Sequence, residues 1–143
     1  GRQWQRLLKD DLAAIHSASI STVVTLISLS EMQKLGVPDL PAQVVKHKLQ
    51  WLQLPIKDFS TPDLDALKSW DQIKETILAA LARRETVLLH CAAGLGRTGM
   101  MAACLLVACG QTPVGAINQV RSARPGTIET DAQAAFIQDV RHG

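Results

Sequence analysis

The chain has no tyrosine, two phenylalanines and three tryptophans, so aromatic residues make up 3% of its 143 positions. A surface that stacks nucleic-acid bases draws on such rings, and few are on offer. Charge of one sign is also lacking. Fifteen Lys and Arg against thirteen Asp and Glu leave a formal +2, too small a surplus to suggest a nucleic-acid partner. The three cysteines include no Cys-x-x-Cys pair. That argues against a secreted disulfide framework and for reduced thiols in a cytoplasmic setting. The longest uncharged run, residues 98–120, is broken by Gly110, Gln111, Thr112 and Pro113. It therefore falls short of the about 18 continuous apolar residues that a membrane span needs. No His pair or carboxylate cluster has metal-ligand spacing, so neither a metal nor another cofactor is expected. Internal repeats and low-complexity tracts are missing too. The chain opens at Gly1 without a Met or a charged-then-apolar leader, and it reads as one trimmed at its N-terminus.

What is present is an ordinary globular mix, 47% apolar and 20% charged. The length suits one domain over residues 1–143, long enough to bury roughly two thirds of its unfolded surface. Trp4, Leu7, Leu8, Leu12 and Ile15 recur at helical spacing, which predicts a helix over residues 3–18. Val23–Ile27, Leu49–Leu54 and Val87–His90 read as short strands. Ser28 and Glu31 fit a capping box, and Gly36 a helix stop. Residues 41–48 suggest a short helix, and Thr61-Pro62 the start of a long one running to about Arg84. Further helices are expected from Thr98 to Cys109, from Thr112-Pro113 to about Arg124, and from Thr130 onward. Strands alternating with helices give an α/β class: a central, mainly parallel sheet of about four or five strands flanked by helices.

The decisive segment is His90-Cys91-Ala92-Ala93-Gly94-Leu95-Gly96-Arg97-Thr98-Gly99, between a strand and a helix. Open α/β sheets bind ligands at that edge, and a helix N-terminus offers free N–H groups and a positive dipole end. Gly94 and Gly96 let the backbone from Ala92 to Gly96 curl into a nest for a tetrahedral oxyanion. Cys91 sits at the first loop position, where those N–H groups and Arg97 favour a thiolate nucleophile. The planar fork of Arg97 suits two oxygens of a phosphate. Thr98 is placed to donate its hydroxyl to the sulfur, and His90 to brace the loop backbone.

This string resembles the signature loop of the cysteine-dependent dual-specificity protein phosphatases. The likeness extends to residues 37–40 (VPDL), 54–63 (LPIKDFSTPD) and 124–133 (RPGTIETDAQ). It is nearest to the kinase-associated, cyclin-dependent-kinase-interacting branch and its bacterial relatives. The resemblance implies a protein-tyrosine-phosphatase-like fold and hydrolysis of phosphotyrosine or phosphoserine/phosphothreonine through a cysteinyl-phosphate. Cys91 and Arg97 match the family's nucleophile and phosphate-binding Arg. The PIxD string places the general acid/base at Asp58. Gln133 matches a position near the attacking water. The implied partner is a phosphorylated protein or peptide, with inhibition by phosphate, vanadate or tungstate.

Plainer readings stand beside these. Asp63 and Asp65 follow Thr61-Pro62 and suit a helix dipole, whereas Asp58 precedes the cap. Thr130 and Gln133 fit a capping box, so for Gln133 a backbone role and a water-orienting role both stay open. Cys104 and Cys109 lie on an apolar helix and are expected in the core, as are Trp4, Trp51 and Trp70. Arg83-Arg84 reads as a solvated helix end. Two other functions compete: a phosphopeptide-binding module with little turnover, and a phosphoinositide phosphatase. Ala92, Ala93 and Leu95 argue against the second, because polyphosphorylated inositols call for Lys inside the loop. Short lead-in segments suggest a shallow cleft open to more than one phospho-residue.

Overall fold

A computed structural model of the chain describes residues 20–92 and 96–140. The expected helix over residues 3–18, with Trp4, lies outside them. Three strands form one parallel sheet in the order β2-β1-β3: β1 (Ile20–Thr25), β2 (Gln50–Gln53) and β3 (Thr86–His90). The three strands placed by residue in the sequence are all present, with shifted ends. Among the described residues the sheet stops there, short of the four or five strands expected, because every remaining apolar segment has helical periodicity.

The central strand shows no alternation of buried and exposed positions, as burial on both faces requires. Thr22, Val23, Val24 and Thr25 are all buried. Six helices complete the described fold: α1 (Leu29–Lys34), α2 (Leu40–Lys46), α3 (Leu64–Ala82), α4 (Gly96–Ala108), α5 (Pro113–Ala123) and α6 (Asp131–Val140). Helix α3 packs on β1 and β3, and α4 packs on β3, α5 and α6. Their buried faces, Trp70, Ile73 and Ile77 on α3 and Met100, Met101 and Cys104 on α4, join Val23, Val24 and Leu88 in one core.

Helix starts follow local chemistry. Ser28 accepts from Glu31 N at 3.1 Å, and Thr112 accepts from Gly115 N at 3.1 Å ahead of Pro113. Gly36, at φ 75°, supplies the left-handed turn that ends α1. The start of α3 differs from expectation. Asp63 caps it by accepting from Ala66 N at 2.8 Å, and Thr61-Pro62 stays in the preceding loop. A carboxylate in that position both satisfies an orphan N–H and meets the positive end of the dipole, which a Thr hydroxyl two residues earlier cannot do.

At the C-terminal edge of the sheet, backbone pairing continues past the strands. Leu26 N bonds His90 O at 2.9 Å, Leu54 N bonds Thr25 O at 2.9 Å, and Ile56 N bonds Leu26 O at 3.1 Å. These bonds draw the starts of three loops, after residues 26, 56 and 90, to a single edge.

Candidate active site

The loop after β3 begins with His90 and Cys91 and ends at Gly96, the first residue of α4. Ala93, Gly94 and Leu95 lie outside the described residues, and Ala92 is half-buried. Cys91 is buried, and Thr98 donates its hydroxyl to Cys91 Sγ at 3.0 Å. The first turn of α4 therefore delivers a hydrogen bond to the sulfur from the side chain the sequence singled out.

Arg97 is 2% exposed and its guanidinium is divided between two jobs. Nη1 and Nη2 donate to Glu31 Oε1 and Oε2 at 2.8 and 2.9 Å, and Nη1 also donates to Ile56 O at 3.0 Å. Nη2 lies 3.6 Å from Asp58 Oδ1, an ion-pair distance too long for a hydrogen bond. Nε has no hydrogen-bond partner among the described residues. The end-on fork thus grips Glu31, while the side-on pair, Nε–H with the outer Nη2–H, remains available for an oxyanion. Burial by itself would lower the guanidinium pKa. Hydrogen bonds from Glu31 and the charges of Glu31, Cys91 and Asp58 outweigh that and raise it.

Glu31 is the residue that local reading misplaced. Ser28 does cap α1, but the Glu31 carboxylate turns to Arg97 rather than back to the helix start. Only the first half of the expected capping box forms, because a buried guanidinium is a stronger partner than a backbone N–H.

Asp58 lies on the 55–63 loop, 55% exposed, and accepts from Phe59 N at 3.0 Å. Ser60 N bonds Lys57 O at 3.0 Å and closes a tight turn around Asp58 and Phe59. A cleft of about 1050 Å³ opens beside it, lined among others by Glu31, Lys34, Ile56, Lys57, Asp58 and Ser60. Asp63 caps α3 and Asp65 occupies its first turn, the helix-dipole roles given to them.

Gln133 is fully buried. Its Oε1 accepts from Glu129 N at 2.9 Å and Thr130 N at 3.3 Å, and Thr130 Oγ1 accepts from Gln133 N at 3.1 Å. Of the two roles left open, these bonds display the capping box. Its Nε2 reaches further and donates to Ser60 O at 3.1 Å, tethering the Asp58 loop to the start of α6.

His90 is also fully buried. Its Nε2 lies 2.7 Å from Thr25 Oγ1, which accepts from Trp51 Nε1 at 2.8 Å. The indole can only donate, so Thr25 Oγ1 accepts from Trp51 and links it to the imidazole across the sheet. Burial pushes the His90 pKa down to about 4, opposed to a smaller extent by the Cys91 backbone. A neutral ring bonded across the sheet holds the strand end from which Cys91 departs.

The other cysteines separate. Cys104 is in the core, where burial pushes its thiol up to about 12. Cys109 is exposed, against expectation, because it lies at the end of α4, where the apolar face has run out. Trp70 is buried and Trp51 half-buried, while Arg83 and Arg84 are exposed. Among the described residues no group of three or more His, Cys, Asp or Glu comes together as a metal site, and no helix is long and apolar enough to cross a membrane.

Residues 1–111 match the family model described as "polymorphic toxin system, DSP-PTPase phosphatase". The chain belongs to this family. Cyclin-dependent kinase inhibitor 3 from Rattus norvegicus is 30% identical over 140 residues, covering 96% of this chain and 65% of the relative. The chain therefore spans slightly less than two thirds of that relative's length. Among solved structures, a kinase associated phosphatase with its catalytic-site cysteine changed to serine superposes with a TM-score of 0.78 at 28% identity, covering 87% of this chain and 70% of the other. Tk-PTP, in a mutant form, gives 0.75 at 27% identity, covering 99% and 83%. The DSP-PTPase fold and the kinase-associated resemblance drawn from the signature loop both agree with these matches. Residues 124–133, which supply Gln133, lie beyond the part matched by the family model.

Proposed function

We propose that this DSP-PTPase domain hydrolyses phosphomonoesters on protein side chains through a cysteinyl-phosphate. One observation carries the reading: Arg97 is buried, fixed on one side by Glu31, and has Nε unpartnered among the described residues, on the helix turn whose Thr98 bonds Cys91 Sγ. A buried N–H without a partner costs about 1–3 kcal/mol, and a tetrahedral dianion relieves that cost.

In the first step Cys91 Sγ attacks phosphorus in line with the ester oxygen. The S–P bond forms, the P–O bond breaks, and Asp58 protonates the departing oxygen, a contribution typically of about 10²–10⁴-fold. The Arg97 fork and the loop amides bind the equatorial oxygens, where charge collects. Water then attacks the cysteinyl-phosphate, and the thiolate leaves with its electron pair, stabilised by the Thr98 hydroxyl. No metal enters either step. The cleft beside Asp58 receives the protein or peptide around the phospho-residue, and three free cysteines suit a reducing, cytoplasmic setting.

The experiment is turnover of p-nitrophenyl phosphate with EDTA present. Steady hydrolysis, competitive inhibition by vanadate and loss of activity in Cys91→Ser are expected. A Cys91→Ser protein as fast as wild type would overturn the mechanism. Tight binding of a phosphopeptide without phosphate release would favour a binding module instead.

A further inference from the structure

One carboxylate lies against the start of α4 without any role so far. Glu129 follows Ile128, a buried β-branched residue held at φ 60°. Such residues rarely occupy this region, and the strain persists only where the surroundings over-determine it. Here they do. Arg121 donates from Nε to Thr127 O at 3.2 Å and from Nη2 to Ile128 O at 3.0 Å. Thr127 Oγ1 donates to Arg124 O at 2.8 Å, and Gln133 Oε1 holds Glu129 N.

The braced segment lies directly on the first turn of α4. A methyl group added at Gly99 would come within 2.7 Å of Thr127 Cβ. One added at Gly96 would overlap Glu129 Oε1 and stand 3.1 Å from Gln133 Oε1. The Glu129 carboxylate is therefore set against Gly96, the residue joining the phosphate loop to Arg97. Glu129 is exposed, so water reaches it, and its carboxylate has no hydrogen-bond or ion-pair partner among the described residues. Gln133, by contrast, has its amide engaged with backbone on both sides. The strain, the bracing and the two close glycine contacts all serve to present one unpartnered carboxylate beside Gly96, at the start of α4.

We propose that Glu129 is the base for the second half of the reaction, taking over from Asp58 once the first half is complete. This rests on the cysteinyl-phosphate reading above. A water oxygen bonds to phosphorus as the S–P bond breaks. The S–P electron pair stays on Cys91 Sγ, the water proton passes to a Glu129 carboxylate oxygen, and inorganic phosphate departs. Glu129 then returns the proton to solvent. The two half-reactions use two carboxylates, brought to the loop by the 55–63 and 127–130 segments.

Stopped-flow turnover of p-nitrophenyl phosphate at high enzyme concentration tests this. In Glu129→Gln, a burst of about one nitrophenolate per enzyme at the wild-type rate should precede a steady state at least tenfold slower, with phosphocysteine accumulating on quenching. Glu129→Ala should show the same split. Asp58→Asn should instead slow the burst itself. A steady state within twofold of wild type in both Glu129 variants, or equal slowing of burst and steady state, overturns the assignment. Neither result touches the phosphatase reading, which fails separately if Cys91→Ser stays active.

Discussion

Arg97 and Glu31, 66 positions apart, form a two-pronged ion pair in which Nη1 and Nη2 donate to both carboxylate oxygens at 2.8 and 2.9 Å. Glu31 retains 27% of its side-chain exposure and Arg97 only 2%, so the pair fixes a buried cation from a partly wet anchor. Removing the anchor leaves an uncompensated donor pair inside the protein. Glu31→Ala should lower stability by about 1–3 kcal/mol in urea melts. It should also raise KM for p-nitrophenyl phosphate about tenfold as the guanidinium loses its orientation, with Glu31→Gln intermediate. An unchanged KM in a folded Glu31→Ala protein would show that the loop alone orients Arg97.

His90 gives a pH dependence of defined sign. Its pKa is about 4 in the folded chain, against about 6.5 when unfolded. Between these values the unfolded chain takes up a proton that the folded chain refuses. Stability is therefore fully present above about pH 6.5 and declines as pH falls, by about 3 kcal/mol once pH 4 is reached. Urea unfolding of wild type and His90→Gln at pH 7, 6 and 5 isolates this contribution. The difference between the two proteins should shrink steadily with acidification, and a constant difference would contradict it.

Gly96 is constrained by neighbours rather than by its own backbone. Gly96→Ala drives the Glu129 carboxylate aside and crowds the Gln133 amide, which its own hydrogen bonds hold in place, and overpacking of this kind costs about 1–3 kcal/mol. Shortening Glu129 to Ala removes the worst overlap, so the double variant should recover part of the loss. A double-mutant cycle in thermal unfolding measures the coupling, and strict additivity would show that the two residues do not touch.

Phe59 sits at φ 58°, a conformation suited to Gly, and its ring is 59% exposed. The folded state thus gains little burial in return for a strained turn. Phe59→Gly should leave the protein as stable or up to about 1 kcal/mol more stable, the relief of strain exceeding the added freedom of the unfolded chain. A clear loss in urea melts would mean that the ring packs more than its exposure indicates.

The sequence made the local parts of this site legible. Cys91, Arg97 and Thr98 fall in one continuous string, and Asp58 precedes the α3 cap in a loop that could not be helix. The three strands announced themselves by β-branched and apolar runs. What stayed hidden was long-range. Glu31 satisfies a capping-box pattern, and nothing within its own turn says that its carboxylate serves a guanidinium on a distant helix. Thr25 and Trp51 likewise read as ordinary strand residues until β1 lies between β2 and β3 and joins them to His90. Glu129 carries no signal of its own in the sequence, where Gln133 bears the resemblance, and only the closeness of Gly96 sets its carboxylate apart.

The tether from Gln133 to Ser60 carries one last implication. It joins the last described helix to the loop bearing Asp58, so that loop is fastened only once the segment carrying Gln133 has folded against it. A ribosome-bound or prematurely terminated product, even one holding the complete signature string, would lack its last fastening. The setting of the Asp58 loop thus depends on a residue that lies far beyond the signature string in the chain.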